Sequence, residues 1–322
     1  MYKRQILYSE SKNISLDKNS INVILISLDT LRADHLKCYG YKRNTSPNID
    51  KLAKDSVVFF NTFSHAPYTL SSHMSMMTSL LPMNHKVLYI DRSLNPSIKT
   101  LADLLRNNDY ITVAFTGGGQ VSARYGFSKG FDFYYEEYMG GVHINSAERL
   151  FKHASKWIRK NKNLKFFLFL HTFQIHNPYH SPPPFGQIFL KKEYPWKYIS
   201  LQEILGQGYP RLFRELKRIE KENVIALYDG EIRYTDECFI KPFIKELKKL
   251  NLYDRTMIIL TSDHGEEFRD HYSWGHGHNL YNEVIKVPLI IKFPYSKYSG
   301  KKVKKKMLDW WISCQLFCIK SE

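Results

Sequence analysis

Two apolar runs lying far apart in the chain end in the same kind of side chain, and this constrains the fold more than any other feature. INVILISLDT closes on Asp29, and MIILTSDHG closes on Asp263 and His264. Each run reads as a strand buried in a parallel sheet. In open α/β sheets, sites form in the crevice beyond the carboxyl ends of strands, so two such ends can meet whatever their separation in sequence. A third loop, HAPYTLSSHMSMMTSLLP, places Thr69 just before a helix. Carboxylates and an imidazole suit a divalent metal, and a hydroxyl at a helix start beside it is what displacement at an anionic ester needs.

Around these loops strand-like and helix-like segments alternate. INVILISL, a helix near SPNIDKLAKDS, FFNTFSH and the helix SSHMSMMTSLL come first. SIKTLADLLRNN, the strand YITVAFTG, the helix SAERLFKHASKWIRKN and the apolar strand KFFLFLH follow. Such alternation predicts βαβ units around a largely parallel sheet. The Pro- and aromatic-rich stretch HNPYHSPPPFGQIFLKKEYPWKY reads as a long surface loop near the site. Farther on, Ile225, Tyr228, Ile232, Thr235, Phe239 and Phe243 recur at helical spacing, and VIKVPLIIKFP is a final strand. Gly117 to Gly119 lack a following Gly-Lys-Ser/Thr and read as a turn.

The length of 322 residues and the 43% hydrophobic content suit one large α/β domain or two smaller ones, and disorder is not indicated. The expected organisation is a polar leader at 1–20, a main domain at 21–295, and a basic cluster with an atypical tail at 296–322. Cys38, Cys238, Cys314 and Cys318 are scattered, with no C-x-x-C pair, so neither a disulfide framework nor a thiolate zinc site is expected. The leader holds no secretory apolar segment and no run reaches membrane-spanning length, which predicts a soluble, cytoplasmic protein without a membrane span. The net charge of +16 comes mostly from lysines on helix faces, so nucleic acid is not an expected partner. Only KKVKKK, Lys301 to Lys306, is a dense cluster. The tail after it reads either as a terminal helix or as a non-native end.

The phrases SLDTLRADHLKCYGY, APYTLSSHMSMMTSLLP, HNPY, YDGEIRYTDE, TSDHGEEF and HGHNLYNEVIKVPLII, in that order from about Asn22 to Pro294, resemble the sulfatase family of the alkaline phosphatase superfamily. The resemblance implies an α/β fold with a mixed, largely parallel central sheet flanked by helices on both faces. It also implies one divalent metal ion, with calcium most expected and magnesium, manganese or zinc as alternatives. The reaction implied is attack on a sulfate or phosphate ester of a small molecule or glycan. Position by position, Asp29, Asp263 and His264 fall on metal ligands, and Thr69 falls on the nucleophile, itself a ligand. Ser72 and His73 fall on substrate-binding positions. His176 and His276 or His278 fall where sulfatases have substrate-binding His or Lys, and histidine suits leaving-group protonation.

Departures from the family pattern sharpen this reading. Most sulfatases carry Cys or Ser in a C/S-x-P-S-R motif that becomes formylglycine; here the matching residues are Thr69, Leu70, Ser71, Ser72 and His73. Threonine cannot give that aldehyde, so formylglycine is not expected. Threonine is the nucleophile in related phosphotransferases and nucleotide pyrophosphatases, which shifts weight toward phosphoryl chemistry. His73 stands in place of the family arginine, and Thr30 stands where many sulfatases have a second acid. Backbone N–H groups around Ser71 to His73 are expected to hold ester oxygens.

Taken singly, Asp29 and Thr69 would read as helix caps; the second strand end reverses that for Asp29. Glu266 and Glu267 read as helix-start acids in preference to partners of His264. His171 and His271 are left open between functional and structural roles, while His65, His85 and His153 read as structural or solvated. The expected function is a metal-dependent, sulfatase-like hydrolase with Thr69 as nucleophile. The alternatives are a soluble phospho-group transferase and a catalytically inactive family member truncated after the VPLII strand.

Overall fold

The computed structural model describes residues 20–137, 145–191, 218–271 and 273–309. Nearly all of the polar leader, the tail with Cys314 and Cys318, and the second part of the Pro-rich excursion lie outside the described residues.

The elements in chain order are β1 (Asn22–Leu28), α1 (Pro47–Lys54), β2 (Val57–Phe63), α2 (Thr69–Thr78), α3 (Pro82–His85), α4 (Leu101–Arg106), β3 (Ile111–Thr116), β4 (Phe133–Glu136), α5 (Ser146–Asn161), β5 (Phe166–Thr172) and α6 (Arg218–Thr235). They continue with α7 (Lys241–Lys249), β6 (Thr256–Thr261), β7 (Glu267–Phe268), β8 (Trp274–Gly275), α8 (Asn282–Ile285), β9 (Lys286–Lys292), β10 (Lys302–Val303) and β11 (Leu308–Asp309). Nine strands form one sheet in the order β10-β2-β9-β6-β1-β5-β3-β4, with β11 also on β2. Only β9 runs against its neighbours, pairing antiparallel with β6 and β2. The expected mixed, largely parallel sheet is therefore present.

Burial on both faces explains the continuous apolar runs. β1 is buried throughout and lies between β5 and β6, parallel to both, with Leu28 opposite Thr172 and Ser27 opposite Thr261. Because side chains alternate along a strand, its residues supply two separate cores. Ile24, Ile26 and Leu28 pack with Phe166, Leu168 and Leu170 against residues of α1, α5, α6 and α7. Val23 and Leu25 pack with Phe167 and Phe169 against residues of α2 and α4. Each such side chain, fully buried, contributes about 1.5–3 kcal/mol, so the central strands are the best-anchored part of the molecule.

Two details depart from simple pattern reading. The helical spacing from Ile225 to Phe243 spans not one helix but α6 and α7 joined by a π segment at Asp236–Ile240, where Lys241 N–H reaches Asp236 O. Pro242 explains it, since a proline clashes with the carbonyl four residues back and the wider π turn relieves that clash. The turn aims Asp236 at the start of α1, where it accepts from the N–H groups of Asn48 and Ile49. Burial pushes the Asp236 carboxyl up to about 7 despite those bonds. The second departure is at the edge: the chain after Pro294 rejoins the sheet, β10 pairing Lys302 with Val58 and β11 pairing Leu308 with Thr62.

Candidate active site

The carboxyl ends of β1, β5 and β6 lie side by side, and the loops leaving them converge on the first turn of α2. Asp29 follows β1 directly and is wholly buried. Thr30 has φ of 59°, in the left-handed region, and its turn is held from outside. Tyr228 Oη on α6 donates to Thr30 O at 2.8 Å and accepts from Arg32 N at 2.9 Å, while Leu31 N donates to Ser262 Oγ at 3.0 Å. Asp263 and His264, just past β6, are also fully buried. Gly265 follows because the chain passes against Glu283 there: a Cβ would sit 2.0 Å from Glu283 O.

Thr69 opens α2, with Tyr68 as the N-cap residue. Its Oγ1 donates to Asp29 Oδ2 at 3.3 Å and lies 3.2 Å from His264 Nε2. Two further histidines complete the floor. His171 Nε2 lies 3.3 Å from Asp29 Oδ2, and His73 Nδ1 lies 3.3 Å from Asp263 Oδ2. Metal-type ligand atoms of Asp29, Asp263 and His264 fall within 4.8 Å of one another, as do those of Asp29, His73 and His171.

The electrostatics of this cluster suit a cation. Burial, and then the neighbouring Asp263 carboxylate, push Asp29 well above the usual carboxylate range. Burial acts on Asp263 in the same direction, but His264 and His73 outweigh it and hold that carboxyl well below its usual range. Burial drives the His264 imidazole down to about 4, so it is a neutral donor near pH 7. Asp29 Oδ1 and Asp263 Oδ2 are both buried and accept no hydrogen bond, although Asp263 Oδ2 faces His73 Nδ1 and His264 Nε2, each at 3.3 Å. Unpaired carboxylate oxygens are costly in a protein interior. Two such carboxylates in one cluster, with a neutral imidazole and a hydroxyl beside them, fit a divalent cation.

A layer of imidazoles stands over this floor. The His276 ring packs on His264, centroids 4.3 Å apart, and on His176 at 5.1 Å. His276 Nδ1 is 2.8 Å from Glu266 Oε1, and Glu266 Oε2 accepts from Tyr179 Oη at 3.1 Å. Burial would raise the Glu266 carboxyl, yet His276 and the neighbouring imidazoles hold it below the usual range. Burial, then His276, lowers His176 to about 4.

The structure brings Asp29, Thr69, Asp263, His264, His176 and His276 together and corrects several other expectations. Ser72 and His73 are buried, and their side chains meet protein partners. Ser72 Oγ donates to Asp263 O at 2.6 Å, and His73 is wholly enclosed between Ser27 Oγ, Thr69 O and Asp263. The reason is helical geometry: both lie on the side of α2 that packs on the strand ends. The backbone N–H groups expected to hold ester oxygens are partly committed, Ser72 N to Tyr68 O and Leu70 N to Gln120 Oε1. Of the GHGH pair only His276 joins the site; His278 is exposed, with Nδ1 against His276 O. Glu266 and Glu267 start no helix. Both are fully buried, one holding His276 and the other in β7.

His171 carries the same signal that marked Asp29, a polar residue at the end of an apolar strand, although the sequence alone left it open between a functional and a structural role. Glu266 had none, because its partner is supplied by a separate loop. Of the remaining histidines, His85 is buried between Ser75 Oγ and Val87 N, and His153 stacks on Phe115.

The sulfatase family model matches residues 21–308. The chain belongs to the sulfatase family. Among curated relatives it is similar to the iduronate 2-sulfatase of Mus musculus, 26% identical over 340 residues covering 86% of this chain and 60% of that protein. The chain thus spans about 60% of the length of that relative. Among solved structures it resembles the phosphonate monoester hydrolase of Agrobacterium radiobacter, with a TM-score of 0.79 at 20% identity over 93% of this chain and 73% of the other. It also resembles a protein solved with its substrate D-glucosamine-2-N,6-O-disulfate, with a TM-score of 0.70 at 16% identity over 91% and 74% of the two chains. These two likenesses concern the fold.

Proposed function

We propose that this chain is a metal-dependent hydrolase of sulfate or phosphate esters in which Thr69 is the nucleophile. The observation that carries the reading is the Thr69 hydroxyl, at the first turn of α2, beside Asp29, His264 and the buried Asp263 carboxylate. Asp29, Asp263, His264 and Thr69 would hold the ion, for which calcium is the first candidate and magnesium, manganese and zinc are the rivals. When bound, such a cation offsets the two buried carboxylates, acidifies a neighbouring hydroxyl and draws in an anionic ester.

The chain's own residues supply the rest. Asp29 Oδ2 takes the Thr69 hydrogen bond and fixes where the hydroxyl oxygen points. Above it, Glu266 holds Nδ1 of His276 and fixes the ring, and His276 takes the role of general acid toward the departing alcohol. His176 and His276 wall the pocket at the place where the non-reacting part of the ester must lie. A sugar sulfate or sugar phosphate is the favoured substrate class, supported by the sulfated sugar bound to one neighbour and by the iduronate in the name of one relative.

Threonine also favours a second reading. It cannot become an aldehyde, so the covalent intermediate would be a simple threonine ester that an alcohol could capture in place of water, making the enzyme a transferase. The deciding experiment compares metal-loaded protein with its Thr69→Ala variant on aryl sulfate, phosphate monoester, phosphodiester and phosphonate ester panels, with and without an acceptor alcohol. Thr69-dependent turnover is expected. Full metal content without turnover would reject the hydrolase reading in favour of a non-catalytic family member.

A further inference from the structure

The dense lysine cluster found in the sequence takes no part in the site, and the fold gives it a defined form. Two concavities meet at Lys302 on the β10 edge of the sheet. One, of about 540 Å³, is lined by Lys37, Lys51 and Lys54 on one wall and by Gly300 and Lys302 on the other. The other, of about 630 Å³, is lined by Phe59 and the run Lys302 to Lys306. All seven of these lysines are exposed. Asp50 is the one acid in either lining, and its Oδ1 is turned to Cys38 N.

A few surface lysines stand beside carboxylates, as Lys129 does with Asp103, Lys152 with Glu148 and Lys241 with Glu237, while others such as Lys156, Lys160 and Lys249 stand singly among the described residues; the groove differs in gathering its lysines into one track. Among the described residues none of the seven groove lysines forms such a pair. The track is also fixed in place. Val58 N donates to Lys301 O at 2.9 Å, and Asn61 Nδ2 donates to Lys304 O at 2.5 Å.

The direction of the track matters as much as its charge. β10 and β11 run parallel to β2, from Val58 to Thr62. β2 leads into Ser64, whose Oγ is 2.7 Å from Ser72 Oγ on α2, the helix that Thr69 opens. Facing walls of unpaired lysines along a groove that runs toward the active-site end of the sheet match a linear polyanion better than a flat bilayer. Single-stranded nucleic acid would call for stacking platforms, and Phe59 is the only aromatic residue in the two linings.

We propose that this groove binds a stretch of sulfated glycan remote from the ester being cleaved and guides the chain toward Thr69. The proposal rests on the sugar-ester reading above, and it is tested separately from turnover. Binding of size-graded heparin oligosaccharides to the full chain is measured by calorimetry at low and high salt. The protein is compared with a Lys302→Glu/Lys304→Glu/Lys306→Glu variant and with a control of equal charge change, Lys156→Glu/Lys160→Glu/Lys249→Glu on α5 and α7.

Affinity is expected to rise with oligosaccharide length, to fall at least tenfold in the groove variant and to stay within about twofold in the control, since screened, distant charges act weakly. Turnover of a small aryl ester should be the same in all three proteins. Equal losses in both variants, or no dependence on length, would overturn the groove. Tighter groove-dependent binding of an oligonucleotide or of phosphatidylserine vesicles would overturn the glycan assignment. Glycan binding without any ester turnover would sink the hydrolase reading alone, and turnover without glycan binding would sink the groove alone.

Discussion

Among the described residues two regions have the composition of a metal site, one around Asp29 and one around Glu267, and they differ in what their oxygens already do. Asp29, Asp263 and His264 are wholly buried, and two carboxylate oxygens have no hydrogen-bond partner. Glu267, His271 and Glu283 lie at the rim, where Glu267 accepts from His271 N, Ser273 N and Asn279 Nδ2, and His271 Nδ1 bonds Glu283. The rim cluster is complete as it stands, and its acids serve to tie the β7–β8 loop together. The buried cluster keeps two carboxylate oxygens that accept no hydrogen bond, an arrangement that suits a cation. Ligand-type residues in proximity do not distinguish the two; the state of their lone pairs does.

The largest expected effect that separates them is on turnover. Thr69→Ala should keep its metal and lose activity by about 10⁴-fold or more, in line with removal of a nucleophile elsewhere. His271→Ala should keep activity within about twofold, because surface changes away from special features cost about 0.5 kcal/mol or less. Comparable losses would erase the distinction. Next in size is metal affinity. Asp263→Asn should weaken binding beyond the roughly 10- to 100-fold typical of losing a mere supporting contact, whereas Glu283→Gln should leave calorimetric stoichiometry and affinity unchanged.

A smaller effect concerns the upper imidazole layer. Glu266→Gln should reduce turnover by about 10- to 100-fold, and the loss should grow as the leaving alcohol becomes more basic. A uniform loss across leaving groups would mean that Glu266 only supports the loop. The smallest effect is on stability without metal. Folding raises the Asp29 pKa above 3.8, so the folded chain binds that proton more tightly than the unfolded one. Its contribution is favourable at low pH and is lost as pH rises through the raised value. Asp29→Asn should therefore melt higher than wild type in chelator by a few degrees, with a gap that widens above pH 3.8. A gap that narrows with pH would refute the repulsion between Asp29 and Asp263.

What could be read in the sequence follows from how local the cause is. β1, β5 and β6 were legible because burial on both faces leaves only apolar side chains, and the break in that pattern marks the strand end and so Asp29 and Asp263. Thr69 was found through its loop, and the structure places it at the first turn of α2. The partners of His73 and Ser72 were not legible because facing depends on how α2 rolls against the sheet, which no spacing within the helix reports. His276 was separated from His278 only by the fold, since Glu266 selects one of them across a loop. β10 and β11 carry two residues each, too few for any periodicity, and the lysines around them read only as a dense basic cluster until the sheet edge gave them a common direction.

The turn at Thr30 has a consequence beyond its local geometry. A β-branched residue in the left-handed region costs on the order of 1–3 kcal/mol and persists only where its surroundings enforce it. Here the enforcement comes from Tyr228 on α6 and Ser262 beyond β6. The accuracy with which Asp29 is held is therefore a property of the assembled molecule and not of its own loop. Helix and turn behave as one mechanical linkage, so sequence drift in α6, well away from the chemistry, would be felt as a displaced carboxylate.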